Sequence, residues 1–139
     1  MKIVMESVIE ELRACNEKVP VPLELPDMDD IISAEEQILL SLDSEFRQYM
    51  LTVSDVIYGK LEPVTVADPN SHTYLPEVAA MAWSLGVSRE LIPLCEDRGM
   101  YYCTNEIGEV VLWKDGEITN DEPWTSVWQW VEGVWLEKY

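Results

Sequence analysis

Apolar positions recur at two periods along the chain, helical in the first half and strand-like in much of the second. Residues 3–16 carry Val4, Val8, Ile9 and Leu12 on one stripe and Glu6, Glu10 and Arg13 away from it, which predicts an amphipathic helix. Pro20, Pro22 and Pro26 follow within seven residues and predict an extended connector, since proline lacks an amide donor and restricts its predecessor. Asp27 then suits the N-cap of a second helix reaching about Leu40, with Met28, Ile31, Ile32, Ile38 and Leu39 as its apolar side. Ser41, Asp43 and Ser44 offer acceptors for a helix restart, and Phe46, Tyr49, Met50 and Val53 continue at helical spacing. Gly59 closes this helical half.

Leu61, Val64 and Val66 predict a short strand, and Pro63 places it near a sheet edge. Residues 67–73 form a turn-rich loop. Pro76 fits the first turn of a helix running to about Leu85, with Val78, Ala79, Ala82 and Trp83 inward and Gly86 at its end. The period then changes. Strands are expected at 91–95, 101–104 and 109–113, joined by turns at Asp97–Gly99 and Asn105–Gly108, with Asp115–Gly116 after the third. Trp124, Val127, Trp128, Val131 and Trp135 recur at three and four and predict a closing helix. Helices, then hairpin-linked strands, then a helix, argue for α+β with an antiparallel sheet. No internal repeat is present, and a length of 139 residues suits one domain.

Charge narrows the function classes. Nine Lys and Arg face twenty-seven Asp and Glu, a net charge of −18. Between Glu24 and Glu45 lie Glu24, Asp27, Asp29, Asp30, Glu35, Glu36, Asp43 and Glu45 without one base. A second acidic region runs from Glu96 to Glu122, interrupted only by Arg98 and Lys114. Such a field repels phosphate backbones, so no nucleic acid is expected as partner, and it draws in basic proteins. Acidic surfaces also serve solubility alone. No apolar window approaches the ~20 residues of a membrane span, and the N-terminal stretch lacks signal-peptide features. The expected location is cytoplasmic. Cys15, Cys95 and Cys103 are an odd count without a close pair and read as buried thiols rather than a disulfide.

Catalytic and metal chemistry find little support. His72, the only histidine, lies in a loop beside Ser71, too close in sequence for an ordinary triad. Asp68, Asn70 and His72 resemble the opening of a calcium loop, but Thr73 replaces its glycine and Ala79 its bidentate glutamate. Three dispersed cysteines and one histidine have no zinc spacing. Tryptophans at helical spacing read as a core stripe, with Trp113 and Trp130 as the candidates for exposure. No enzyme activity, metal or cofactor is expected.

Taken in order, the segments resemble the SUKH superfamily in its Smi/Knr-like branch of cell-wall-assembly and killer-toxin-resistance regulators. The resemblance rests on Pro22 and Pro26, then Ala34-Glu35-Glu36-Gln37-Ile38-Leu39, then Glu45-Phe46-Arg47-Gln48-Tyr49-Met50-Leu51. Leu91 to Asp97, Tyr101-Tyr102-Cys103, Gly108 to Trp113 and the tryptophan-rich end continue it, over residues 20–137, with 1–19 as helix and lead-in. Departures are Leu40-Ser41-Leu42-Asp43, which lacks the usual glycine and proline, Ser54-Asp55, which replaces an asparagine-glycine, and Arg98-Gly99, which replaces a glycine run. The resemblance implies a single non-enzymatic domain with a mixed, antiparallel-rich sheet flanked by helices. It also implies a bacterial immunity protein that neutralises a toxin, or a scaffold in cell-wall signalling. The expected partner is a basic toxin domain, and the chain itself a monomer or weak dimer. Two candidate partner-binding faces remain: Asp27, Asp29, Asp30, Glu35 and Glu36, or Asp68, His72 and Tyr74 with Glu96 and Asp97.

Overall fold

A computed structural model of the chain describes residues 2–20, 23–119 and 122–137, with side chains from residue 5 onward. Its helices are α1 (Lys2–Ala14), α2 (Met28–Ile38), α3 (Ser44–Val53), α4 (Leu75–Ser84) and the short α5 (Val127–Trp130), which runs into a π-helical turn at Val131–Trp135. Five strands, β1 (Glu62–Pro63), β2 (Ile92–Asp97), β3 (Met100–Thr104), β4 (Val110–Lys114) and β5 (Glu117–Ile118), form one sheet in chain order. Every ladder is antiparallel. A single parallel bridge joins Thr65 to Tyr74. The α+β fold expected from the patterning is the fold observed.

Local chemistry sets the element boundaries. Asp27 caps α2 by accepting the Asp30 amide while the Asp30 carboxylate accepts the Asp27 amide, a reciprocal capping box. Asp43 caps α3 through the Glu45 amide, and Pro76 sits in the first turn of α4. The Asp115–Gly116 pair turns β4 into β5 with φ of 51° and 91°, the doubly left-handed geometry of a tight hairpin. Gly108, at φ 87°, brings the β3–β4 turn against the Asp43 carboxylate, where a Cβ would stand 2.9 Å from the oxygen.

The sheet is covered on both faces. On one, Tyr101, Cys103 and Trp113 pack with Ala82 and Val87 beside α4. On the other, Tyr102 meets Trp130 and Trp124 edge-on at centroid distances of 5.3 and 5.7 Å. Tyr49 and Phe46 of α3 extend this core, with Tyr49 reaching Trp128 and Trp135. Val8 and Leu12 of α1 are buried in it, while Val4 and Pro22 lie outside the described side chains.

Several sequence expectations change. Trp113 and Trp130 are buried, at 7% and 0% exposure, because each meets a tyrosine of β3 inside the protein. Trp124 is not helical: it bridges Val110 as an added edge to β4, and the helix begins at the Ser126 cap. The apolar side of α2 splits. Ile31 and Ile38 are buried with Ala34, whereas Met28, Ile32 and Leu39 are exposed. The segment 61–66 pairs as a strand only at Glu62–Pro63. Cys95 and Cys103, though on neighbouring strands, are buried free thiols. Burial pushes both up to about 12.

Candidate functional site

The two acidic groups fare differently. In the α2 group, Asp27 and Asp30 are turned to helix capping, and Asp29 and Glu36 project into solvent. Glu35 is drawn inward. One of its carboxylate oxygens accepts the Leu42 amide at 2.7 Å and the Arg47 guanidinium at 2.7 and 3.2 Å. That oxygen fastens the end of α2, the connection to α3, and α3 itself. Leu40 adds its amide to the Glu35 carbonyl, closing the helix around Leu39 in the left-handed region at φ 61°. A shallow depression of about 290 Å³ lies here, lined by Ile32, Glu35, Glu36, Leu39, Leu40 and Ser41.

The second group is only partly brought together. Glu96 stands directly across from Glu62 on the edge strand, and His72 reaches Glu62 at 3.1 Å, both side chains largely exposed. Asp68 is spent on the Asn70 amide in its turn, and Glu96 accepts the Gly99 amide. Asp97 pairs with Arg98. Tyr74 is buried, and its hydroxyl accepts from the Gln37 side chain, so it braces α2. Sequence reasoning missed Glu62, which depends on strand register; its neighbour Pro63 gave the edge but not the pairing.

A cleft of about 620 Å³ opens elsewhere, between the 58–61 loop, the β2–β3 turn and the end of the π-helical turn. Tyr102 and Trp135 line it together with Lys60, Arg98, Asp97 and Glu137. Its charges are mixed, and of the candidate residues only Asp97 reaches it. Burial and the nearby Asp43 raise the Glu45 carboxyl, and a hydrogen bond from Ser126 lowers it in part. Among the described residues, no group of three His, Cys, Asp or Glu side chains is placed to hold a metal, and no helix is long and apolar enough to cross a membrane.

An antiparallel meander covered by helices on both faces, with acids displayed at α2 and along the β1–β2 edge, is the α+β architecture that the SUKH resemblance implied. A family model described as SUKH_5: SMI1-KNR4 cell-wall matches residues 5–136, and the chain belongs to that family. A crystal structure of a protein from Pseudomonas syringae pv. tomato is 58% identical to it, covering 95% of this chain and 98% of that one, with a TM-score of 0.91. No curated protein matches the chain.

Proposed function

We propose that this chain is a non-enzymatic immunity protein that neutralises a basic toxin domain by covering its active groove. The observation that carries the reading is the net charge of −18, concentrated on the base-free stretch from Glu24 to Glu45. A nuclease needs a cationic groove for its substrate, and a rigid acidic domain can place carboxylates where phosphates would lie. Family membership supports the same reading. Clustered acids would speed capture by roughly 10–1000-fold at low salt, and a few desolvated contacts would set the affinity. The site is cytoplasmic in this reading, and no cofactor enters. His72 sits exposed with its ring nitrogen 3.1 Å from the Glu62 carboxylate.

The family description names the cell wall, which favours a second reading as a regulatory scaffold. The two differ in their partners. Affinity capture from native cells, washed at low and high salt, should retain one basic toxin domain, and co-expression should restore growth to cells making that toxin. A toxin that keeps full activity in the presence of excess chain refutes immunity. Capture of several partners differing in charge supports the scaffold.

A further inference from the structure

This inference rests on the protein-binding reading above and locates its surface. We propose that the outward face of α2 is the docking surface and that it takes a basic amphipathic segment of the partner, with an apolar stripe flanked by lysines or arginines.

The helix carries two apolar stripes where a surface helix ordinarily carries one. At about 100° per residue, Ile31, Ala34 and Ile38 point into the core and are buried. Met28, Ile32 and Leu39 lie roughly a quarter-turn or more away and are 41%, 45% and 78% exposed. Leu39 is anomalous twice over. It occupies a left-handed position that favours glycine or asparagine, and it shows most of its side chain to water. Neither property helps the isolated fold. The position is nonetheless held firmly, because the Leu40 amide closes on the Glu35 carbonyl and the Glu35 carboxylate ties down Leu42 and Arg47. Beside it, the depression between Ile32 and Leu39 offers a seat for an apolar anchor.

Charge decides the occupant. At the same spacing Asp29 and Glu36 flank the stripe, both exposed, and Glu36 also lines the depression. The nearby cations are already engaged: Arg47 by Glu35, and Arg89 over the Trp83 ring at 4.0 Å with a hydrogen bond to the Ile38 carbonyl. A second copy would bring the same acids face to face, and anionic lipid or nucleic acid would be repelled. A cationic protein segment meets both the apolar stripe and its acidic rim, the helix-in-groove mode with reversed charge at the borders.

The test uses the full-length chain, isotope-labelled for amide NMR, and a synthetic amphipathic helix of about 18 Leu and Lys residues, long enough to be helical on contact. A Leu and Glu counterpart serves as control. The Lys peptide should shift amides concentrated in residues 25–43. The Ile32→Ser/Leu39→Gly double variant should weaken binding at least tenfold, while Ile107→Ser, at another exposed apolar site, should not. Glycine suits the left-handed backbone at 39, so a retained or raised melting temperature shows that the double variant is folded. Shifts centred on the Glu62–Glu96 edge, or undiminished binding by the double variant, overturn the α2 surface and leave the basic-partner reading standing. Preference for the Glu peptide, or no binding of either peptide, overturns the inference; the toxin-activity assay then judges the immunity reading independently.

Discussion

Replacing Glu35 should separate its work in the fold from the work of its neighbour Glu36. Glu35 has a side-chain exposure of 12% and Arg47 of 36%, so their pair is neither dry nor fully screened. Exposed pairs contribute about 0–1 kcal/mol, and two guanidinium donors converging on one oxygen of a mostly covered carboxylate place this one near the upper end. The same oxygen also accepts the Leu42 amide at 2.7 Å. An N–H that loses its acceptor in partly buried surroundings costs about 1 kcal/mol. Glu35→Ala should therefore destabilise by about 2 kcal/mol, and Glu35→Gln, which keeps a carbonyl for Leu42, by about 1 kcal/mol or less. Arg47→Ala in a double-mutant cycle with Glu35→Ala should show a coupling of about 0.5–1 kcal/mol. Glu36→Ala, on the exposed side, should stay within about 0.5 kcal/mol of the parent. Urea denaturation followed by tryptophan fluorescence measures all four. Equal effects of Glu35→Ala and Glu36→Ala, with no coupling to Arg47, would refute the clamp and return Glu35 to the surface acids.

Gly108→Ala should cost about 2 kcal/mol, because it adds strain at φ 87° to a Cβ 2.9 Å from the Asp43 carboxylate; Gly59→Ala, with open space around it, should cost about 1 kcal/mol by the same denaturation. Tyr49→Phe should be neutral or stabilising by up to about 2 kcal/mol, since it removes a fully buried hydroxyl that has no hydrogen-bond partner among the described residues; a loss above about 1 kcal/mol would contradict this. Thiol labelling at pH 8 should modify Cys15 alone in the native protein and all three cysteines in urea, because Cys95 and Cys103 are buried and pushed up to about 12. Glu45 is raised in the folded protein, so the native state binds its proton more tightly than the unfolded chain. Its contribution to stability is then greatest below the ordinary carboxylate range and is lost as pH rises through the raised value. Relief of self-repulsion at −18 has the same sign, and melting temperature should rise as pH is lowered to about 5, where carboxylates begin to take up protons.

Much of the architecture was legible because single residues announce it. Asp27, Asp43 and Pro76 mark helix starts that the structure keeps, and the strands from Ile92 to Lys114 fall on the short apolar runs between turn residues. The misreadings have physical causes. Helical spacing carried Trp124 into the last helix, although Ser126 with Gln129 three residues on is a start signal; the Ser126 hydroxyl accepts the Gln129 amide. The end of α2 was harder to read, because leucine is an uncommon residue for the left-handed position that Leu39 takes. The candidate site was legible as a composition and not as a surface. A run of acids does not reveal that Glu35 turns inward to Arg47, that Tyr74 is buried under Gln37, or that Glu62 comes to face Glu96. Each of these depends on tertiary register rather than on local pattern. Periodicity also could not divide five apolar residues of α2 between core and solvent, since adjacent stripes merge when both are apolar.

The most direct test of the central claim is the association rate with the captured toxin domain, measured by stopped-flow at about 50 and 300 mM salt, about 2.5-fold apart in screening length. An acidic domain capturing a basic one should lose at least tenfold in association rate over that range, with a much smaller change in dissociation. A rate indifferent to salt, or a partner as acidic as the chain itself, would contradict it.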